Sequence, residues 1–259
     1  MNIIDIESLP EEICLYIIKR AVTFNNICDI SYLMRIKWIN KYFNSISKKL
    51  FQSIETIILH NKTKDISMFS NIKSLYLGEN RIINNENLKH LSSNITKLDL
   101  GYNRIITNES IKQMTNLINL NLGRNIIIII TDESIKLLTN LTTLYLEHNN
   151  TITDESIKYL TNITNLDLGC NLKITDKSIK RLSNITHLKL RWNGAITDKS
   201  IQGLSKLIYL NLGSNNIITY ESIKLLTNLI DLNLGYNEKI TCENLRLLTS
   251  ITKLYLGCK

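Results

Sequence analysis

The residues able to do covalent or metal chemistry are few, and their spacing assembles no reaction site. Four histidines, His60, His90, His148 and His187, fall in no HExxH pattern. There is no GxSxG elbow and no Walker loop, so the usual signatures of metallohydrolase, serine hydrolase and nucleotide chemistry are missing. Five cysteines, Cys14, Cys28, Cys170, Cys242 and Cys258, are scattered without a CxxC pair. That pattern argues against a zinc site or a disulfide framework and for a reducing compartment, cytoplasmic or nuclear. No cofactor is expected. What remains is recognition chemistry: Tyr145, Glu147, His148, His187, Lys189, Arg191 and Trp192 supply aromatic, guanidinium and carboxylate groups of the kind that anchor interfaces.

These seven residues recur at fixed places in a repeated phrase. Asparagine returns at Asn80, Asn103, Asn125, Asn149, Asn171, Asn193, Asn215 and Asn237, in steps of 22 to 24 residues. Each closes the same pattern: an aliphatic residue, two variable residues, Leu, one variable, Leu, two variable, Asn. One copy runs from Ile95 through Leu98 and Leu100 to Asn103; another runs from Leu229 through Leu232 and Leu234 to Asn237. The Leu-x-Leu core alternates with period two, as in a short strand with one buried face. Nine such strands are expected, and a weaker tenth at Ile54, Ile57 and Leu59. Stacked at about 4.8 Å, nine strands make a ribbon roughly 40 Å long. The asparagine follows the strand, where its amide can satisfy turn backbone that no regular element pairs.

Between strands lies a second phrase, clearest from Ile152 to Ile163. Thr153 is placed to cap a helix, Asp154 and Glu155 put negative charge in its first turn, and Ile157 and Leu160 recur at helical spacing. Each repeat therefore reads strand, turn, short helix, turn. A period of this length marks a stacked solenoid. Columns that repeat belong to the core, and columns that vary face solvent or a ligand. The residue between the two leucines and the residue before Asn both vary, from Tyr145, Lys189 and Tyr255 in the first to Tyr102, Arg124, His148 and Trp192 in the second. Seven of nine repeats place Gly after the second Leu, which backbone preference would explain; Glu147 and Arg191 are the exceptions.

Over residues 54–259 the chain resembles the leucine-rich repeat family. The resemblance implies an α/β solenoid with a curved parallel sheet on its concave side and short helices on its convex side. The helical phrase also resembles repeats of F-box leucine-rich proteins, although those usually run longer and carry Cys where this chain has Asn.

Residues 1–52 do not repeat. Ser8, Leu9, Pro10 and Glu11 look like a helix start, with proline where its missing N–H costs nothing. Leu9, Ile13, Ile17 and Ala21 fall four apart; Asp29 can cap a second helix with Ile30 and Leu33; Ile39, Phe43, Ile46 and Leu50 lie on a third. This stretch resembles an F-box, the helical module that binds the Skp adaptor of cullin–RING ubiquitin ligases. Leu9, Pro10, Glu12 and Ile13 match the family's opening motif, Asp29, Ile30 and Leu33 its middle segment, and Asn40, Lys41 and Phe43 its third helix. Phe43 stands where the family often has Trp, and the spacings on either side of Asp29 are longer than usual. The resemblance implies a small all-α F-box-like domain over 1–52 and a solenoid over 53–259. It further implies a non-catalytic, substrate-recognition subunit whose partners are a Skp-type adaptor with its cullin complex and a target protein on the concave face. Read without that resemblance, residues 1–52 are a helical cap on an interaction scaffold.

The formal charge is +8. Lys112, Lys136, Lys158, Lys180 and Lys224 share one helical column beside Asp132, Glu133 and Glu155, which reads as a solvated face, with no nucleic-acid stripe expected. The isoleucine run 126–130 is far too short to span a membrane, so no membrane partner is expected either. It reads as a widened loop or an exposed docking knob.

Overall fold

The computed structural model describes residues 55–59, 66, 69–124 and 130–257. The F-box-like positions Leu9, Pro10, Glu12, Ile13, Ile17, Asp29, Ile30, Leu33 and Phe43 lie outside them, as do Asn125 and residues 126–129 of the isoleucine run. Ile130, which closes that run, is buried.

Ten strands are present among the described residues: β1 Thr56–Ile58, β2 Ser74–Tyr76, β3 Lys97–Asp99, β4 Asn119–Asn121, β5 Thr143–Tyr145, β6 Asn165–Asp167, β7 His187–Lys189, β8 Tyr209–Asn211, β9 Asp231–Asn233 and β10 Lys253–Tyr255. They form one sheet in sequence order, and every neighbouring pair is parallel. The weak strand expected around Ile57 is β1, and Ile57 lies opposite Leu75. From β2 onward the central leucines stand in one line, with Leu188 between Leu166 and Leu210. A one-residue slip would turn every leucine to solvent, so the hydrophobic pattern holds the register.

Short helices return the chain: α1 Asn85–Leu88, α2 Asn108–Ile111, α3 Asp132–Ile135, α4 Asp154–Ile157, α5 Asp176–Ile179, α6 Asp198–Ile201, α7 Tyr220–Ile223 and α8 Cys242–Arg246. Thr153 caps α4 as expected, its hydroxyl accepting from Glu155 N at 3.1 Å, and Thr107, Thr175, Thr197 and Thr219 cap their helices likewise. The helix-side residues Ile157, Leu160 and Ile163 and the strand leucines Leu166 and Leu168 all lie in the same core. Each turn of chain thus buries its apolar side against the turns before and after it, which is how solenoids gain stability.

Two hydrogen-bond ladders join the turns. The first is the expected asparagine ladder. Asn193 Nδ2 donates to Leu168 O at 3.0 Å and Asn171 O at 2.6 Å in earlier turns, while its Oδ1 accepts from Ala195 N and Ile196 N, both at 3.0 Å. Asn103 and Asn215 repeat both donations. These amides are buried, and each satisfies the backbone of two turns at once.

The second ladder is not visible in the repeat spacing. The sequence places Asp154 on its own helix dipole, and its carboxylate also reaches the next turn. Its Oδ1 accepts from Thr175 N at 3.0 Å and its Oδ2 from Thr175 Oγ1 at 2.6 Å, and Ser178 Oγ donates to it as well. Asp132, Asp176 and Asp198 do the same to Thr153, Thr197 and Thr219. Asn85 and Asn108 hold the same place earlier in the stack, with Asn108 Nδ2 donating to Thr131 Oγ1 at 2.8 Å. The Thr-Asp-x-Ser phrase therefore encodes contact between turns as well as a cap. At Tyr220 the carboxylate is gone, and Thr241 takes Asn244 of its own helix as partner instead.

Burial alone would raise the Asp176 carboxyl, but donation from Ser200 and Thr197 outweighs it and holds the group below the usual carboxylate range. A depressed carboxylate stabilises the fold above its unfolded value, about 3.9, and that contribution is lost as pH falls through the lower folded value. Asp176→Ala should therefore cost stability at pH 7 and cost less in strong acid. Asp176→Asn, which copies Asn108, should be milder and remove most of that pH dependence. Urea unfolding of the three proteins between pH 7 and pH 3 reads this directly.

Candidate recognition surface

The strand face lies opposite the helices, and its rows come from residues flanking the buried leucines. The row before each asparagine has an unusual backbone. Glu79, Tyr102, Arg124, His148, Cys170, Trp192, Ser214 and Tyr236 all have positive φ, between 53° and 60°. This left-handed region favours Gly and Asn and costs other residues roughly 1–2 kcal/mol each. None of the eight is Gly, Asn or Asp. Tyr102, Trp192 and Tyr236 are nevertheless exposed, Trp192 at 59%.

The glycines one position earlier correct an expectation. None among the described residues has positive φ, so backbone preference does not select them. They are places of close approach. A Cβ on Gly169 would lie 3.2 Å from Glu147 Cγ, and one on Gly213 would lie 3.5 Å from Arg191 Cγ. The glycine row is a shelf, and Glu147 and Arg191, which replace glycine, lay their stems over the glycine of the next turn.

The structure divides the seven predicted residues. Tyr145 and Glu147 line an open groove of about 630 Å³ with Asp99, Tyr102, Arg124 and Asp167. Arg124 Nε lies 3.5 Å from Glu147 Oε2, and its guanidinium also meets the Tyr102 hydroxyl; this hydroxyl and Glu147 hold the Arg124 charge above its ordinary pKa. Lys189 bridges toward the other residues: its Nζ is 3.3 Å from Asp167 Oδ2 and 5.8 Å from the centre of the Tyr145 ring. Burial pulls the Lys189 pKa down, and Asp167 more than restores it. His187, Arg191 and Trp192 stand outside the groove, with His187 stacked on Tyr209 at 5.8 Å. His148 is exposed. Tyr209 joins His187 in the row before the first leucine, and the variation of that row, from Ser74 and Lys97 to His187 and Tyr209, is the signal that points to it.

Among the described residues no group of three or more His, Cys, Asp and Glu could hold a metal, and no helix is long and apolar enough to cross a membrane. The expected lysine column lies on the helix side, where Lys158 pairs with Glu155 at 2.6 Å.

Residues 93–151 and 181–205 match family models of the leucine-rich repeat. These two stretches of the solenoid are leucine-rich repeats. An internalin from Listeria monocytogenes superposes with a TM-score of 0.61 at 25% identity, over 81% of this chain and 62% of that one. A chain of the Rad7 and Elc1 complex in yeast gives 0.61 at 21% identity, over 82% of this chain and 64% of that one. A chain of the TLR13–ssRNA13 complex gives 0.60 at 22% identity, over 81% and 33%. The chain spans less than two thirds of the length of each, and these likenesses establish its fold. No curated protein matches it. Leucine-rich-repeat solenoids typically serve as non-catalytic scaffolds for protein interaction.

Proposed function

We propose that the strand face of these leucine-rich repeats holds a target protein while residues 1–52 bind a Skp-type adaptor. The chain would then be the substrate-recognition subunit of a Skp–cullin–F-box type ubiquitin ligase. The observation that carries the first half is the left-handed row. Eight turns in succession keep a side chain where glycine or asparagine would relieve the backbone, and the larger ones reach solvent. Strain kept at exposed, chemically varied positions is a mark of a binding surface. In such a complex this chain performs no reaction. It raises the local concentration of the target beside subunits that do.

The second half rests on sequence: Leu9, Pro10, Glu12, Ile13 and Ile17, then Asp29, Ile30 and Leu33, then Phe43. The full chain mixed with a purified Skp-type adaptor should co-elute in gel filtration, and Leu9→Ala with Pro10→Ala should weaken binding at least tenfold. Failure of the unaltered chain to co-elute would reject the ligase assignment. The solenoid would then stand as an interaction scaffold with residues 1–52 as its helical cap.

A further inference from the structure

The strand face carries an exposed guanidinium, unpaired among the described residues, in the turn after β7. Three cation–carboxylate pairs stand earlier in the stack: Lys73 with Glu55 at 2.5 Å, Arg124 with Glu147 at 3.5 Å and Lys189 with Asp167 at 3.3 Å. The turn after β7 differs. Arg191 is exposed and makes no ion pair among the described residues. His187 lies in the strand just before it, beside Lys189, which Asp167 already pairs.

Apolar surface gathers beside this charge. Trp192 is 59% exposed and stands in its row between Cys170 and Ser214, two small residues. Leu172, also 59% exposed, lies over the next turn, its Cδ2 3.9 Å from where a Cβ on Gly194 would be. Gly194 and Ala195, the two residues after Asn193, are small, and Ile217 stands exposed one turn on. A free guanidinium next to an exposed indole, with an apolar strip alongside, forms a two-part anchor: one part takes a carboxylate, the other an aromatic or aliphatic side chain.

We infer that this Arg191–Trp192 corner docks an acidic peptide segment of the partner, with a carboxylate on Arg191 and a large apolar side chain on Trp192. The inference deepens the strand-face reading above and does not depend on the adaptor. The charge pattern favours protein over nucleic acid. Asp167 and Glu147 stand within two turns of Arg191, and so few free cations would release few counterions from a phosphate backbone.

The test is selection of random dodecapeptides displayed on phage against the purified full chain. Selected peptides should be rich in Asp and Glu near an aromatic or aliphatic residue. Synthesised, they should shift the Trp192 fluorescence of a Trp38→Phe variant, which removes the second of the two tryptophans. Arg191→Glu should weaken them at least tenfold, and Lys180→Glu on the helix side should not. Neutral or basic peptides that still shift Trp192 would overturn the acidic partner while leaving the strand face as the binding surface. Acidic peptides indifferent to Arg191→Glu, or no selected peptide at all, would overturn the corner itself. Tighter binding of a labelled fifteen-residue oligothymidine, weakening steeply with salt, would overturn the protein partner.

Discussion

Replacing Asn193 by alanine should lower the unfolding free energy by about 3 kcal/mol or more, because each buried group left unpaired costs about 1–3 kcal/mol. Four hydrogen bonds vanish together: two donated to Leu168 O and Asn171 O, two accepted from Ala195 N and Ile196 N. Leu168 O keeps a second donor in Asn171 N, but the remaining groups lose their partner and water has poor access to Ile196. For a domain of this size the melting temperature should fall roughly 6–12 °C. Asn193→Asp should cost a similar amount. It keeps the acceptor but turns a negative oxygen toward two carbonyls. A melting scan of the two variants against the unaltered protein checks both. A loss under about 1 kcal/mol would mean that water substitutes for the ladder.

Leu188→Ala is expected to cost about 2–5 kcal/mol, the range for a leucine removed from a packed core. Leu188 is fully buried in β7, between Leu166 and Leu210. The same substitution at Leu254 in β10, which is 40% exposed at the end of the sheet, should cost far less. Chemically identical changes thus separate by position, because an interior turn stabilises two neighbours and the last strand has one. Urea unfolding of the two variants measures the difference; equal costs would contradict stabilisation by neighbours.

The strands, their order and their register were legible because leucines at period two and asparagines at 22 to 24 residues are backbone requirements written in side chains. The Asp154 contact to Thr175 was not, since spacing within one repeat does not show that a carboxylate points out of its own turn. Nor was the left-handed row. Tyr102, Trp192 and Tyr236 carry no signal of positive φ, and the glycines that seemed to carry it serve close packing. Of the predicted target-binding residues, Tyr145 and Glu147 share a groove with Arg124, while Arg191 and Trp192 lie outside it. Repeat position alone made them look like one patch, because it does not reveal which charges are already paired.

The most direct measurement is urea unfolding of Trp192→Asn. Asparagine suits the left-handed backbone, and a 59% exposed indole contributes little to the core. If Trp192 is kept for recognition, the variant should be as stable as the unaltered protein or more stable by up to about 1 kcal/mol, while peptide binding is lost. A drop in stability of more than about 1 kcal/mol, well above the usual size of surface substitutions, would make Trp192 a structural residue and contradict the recognition row.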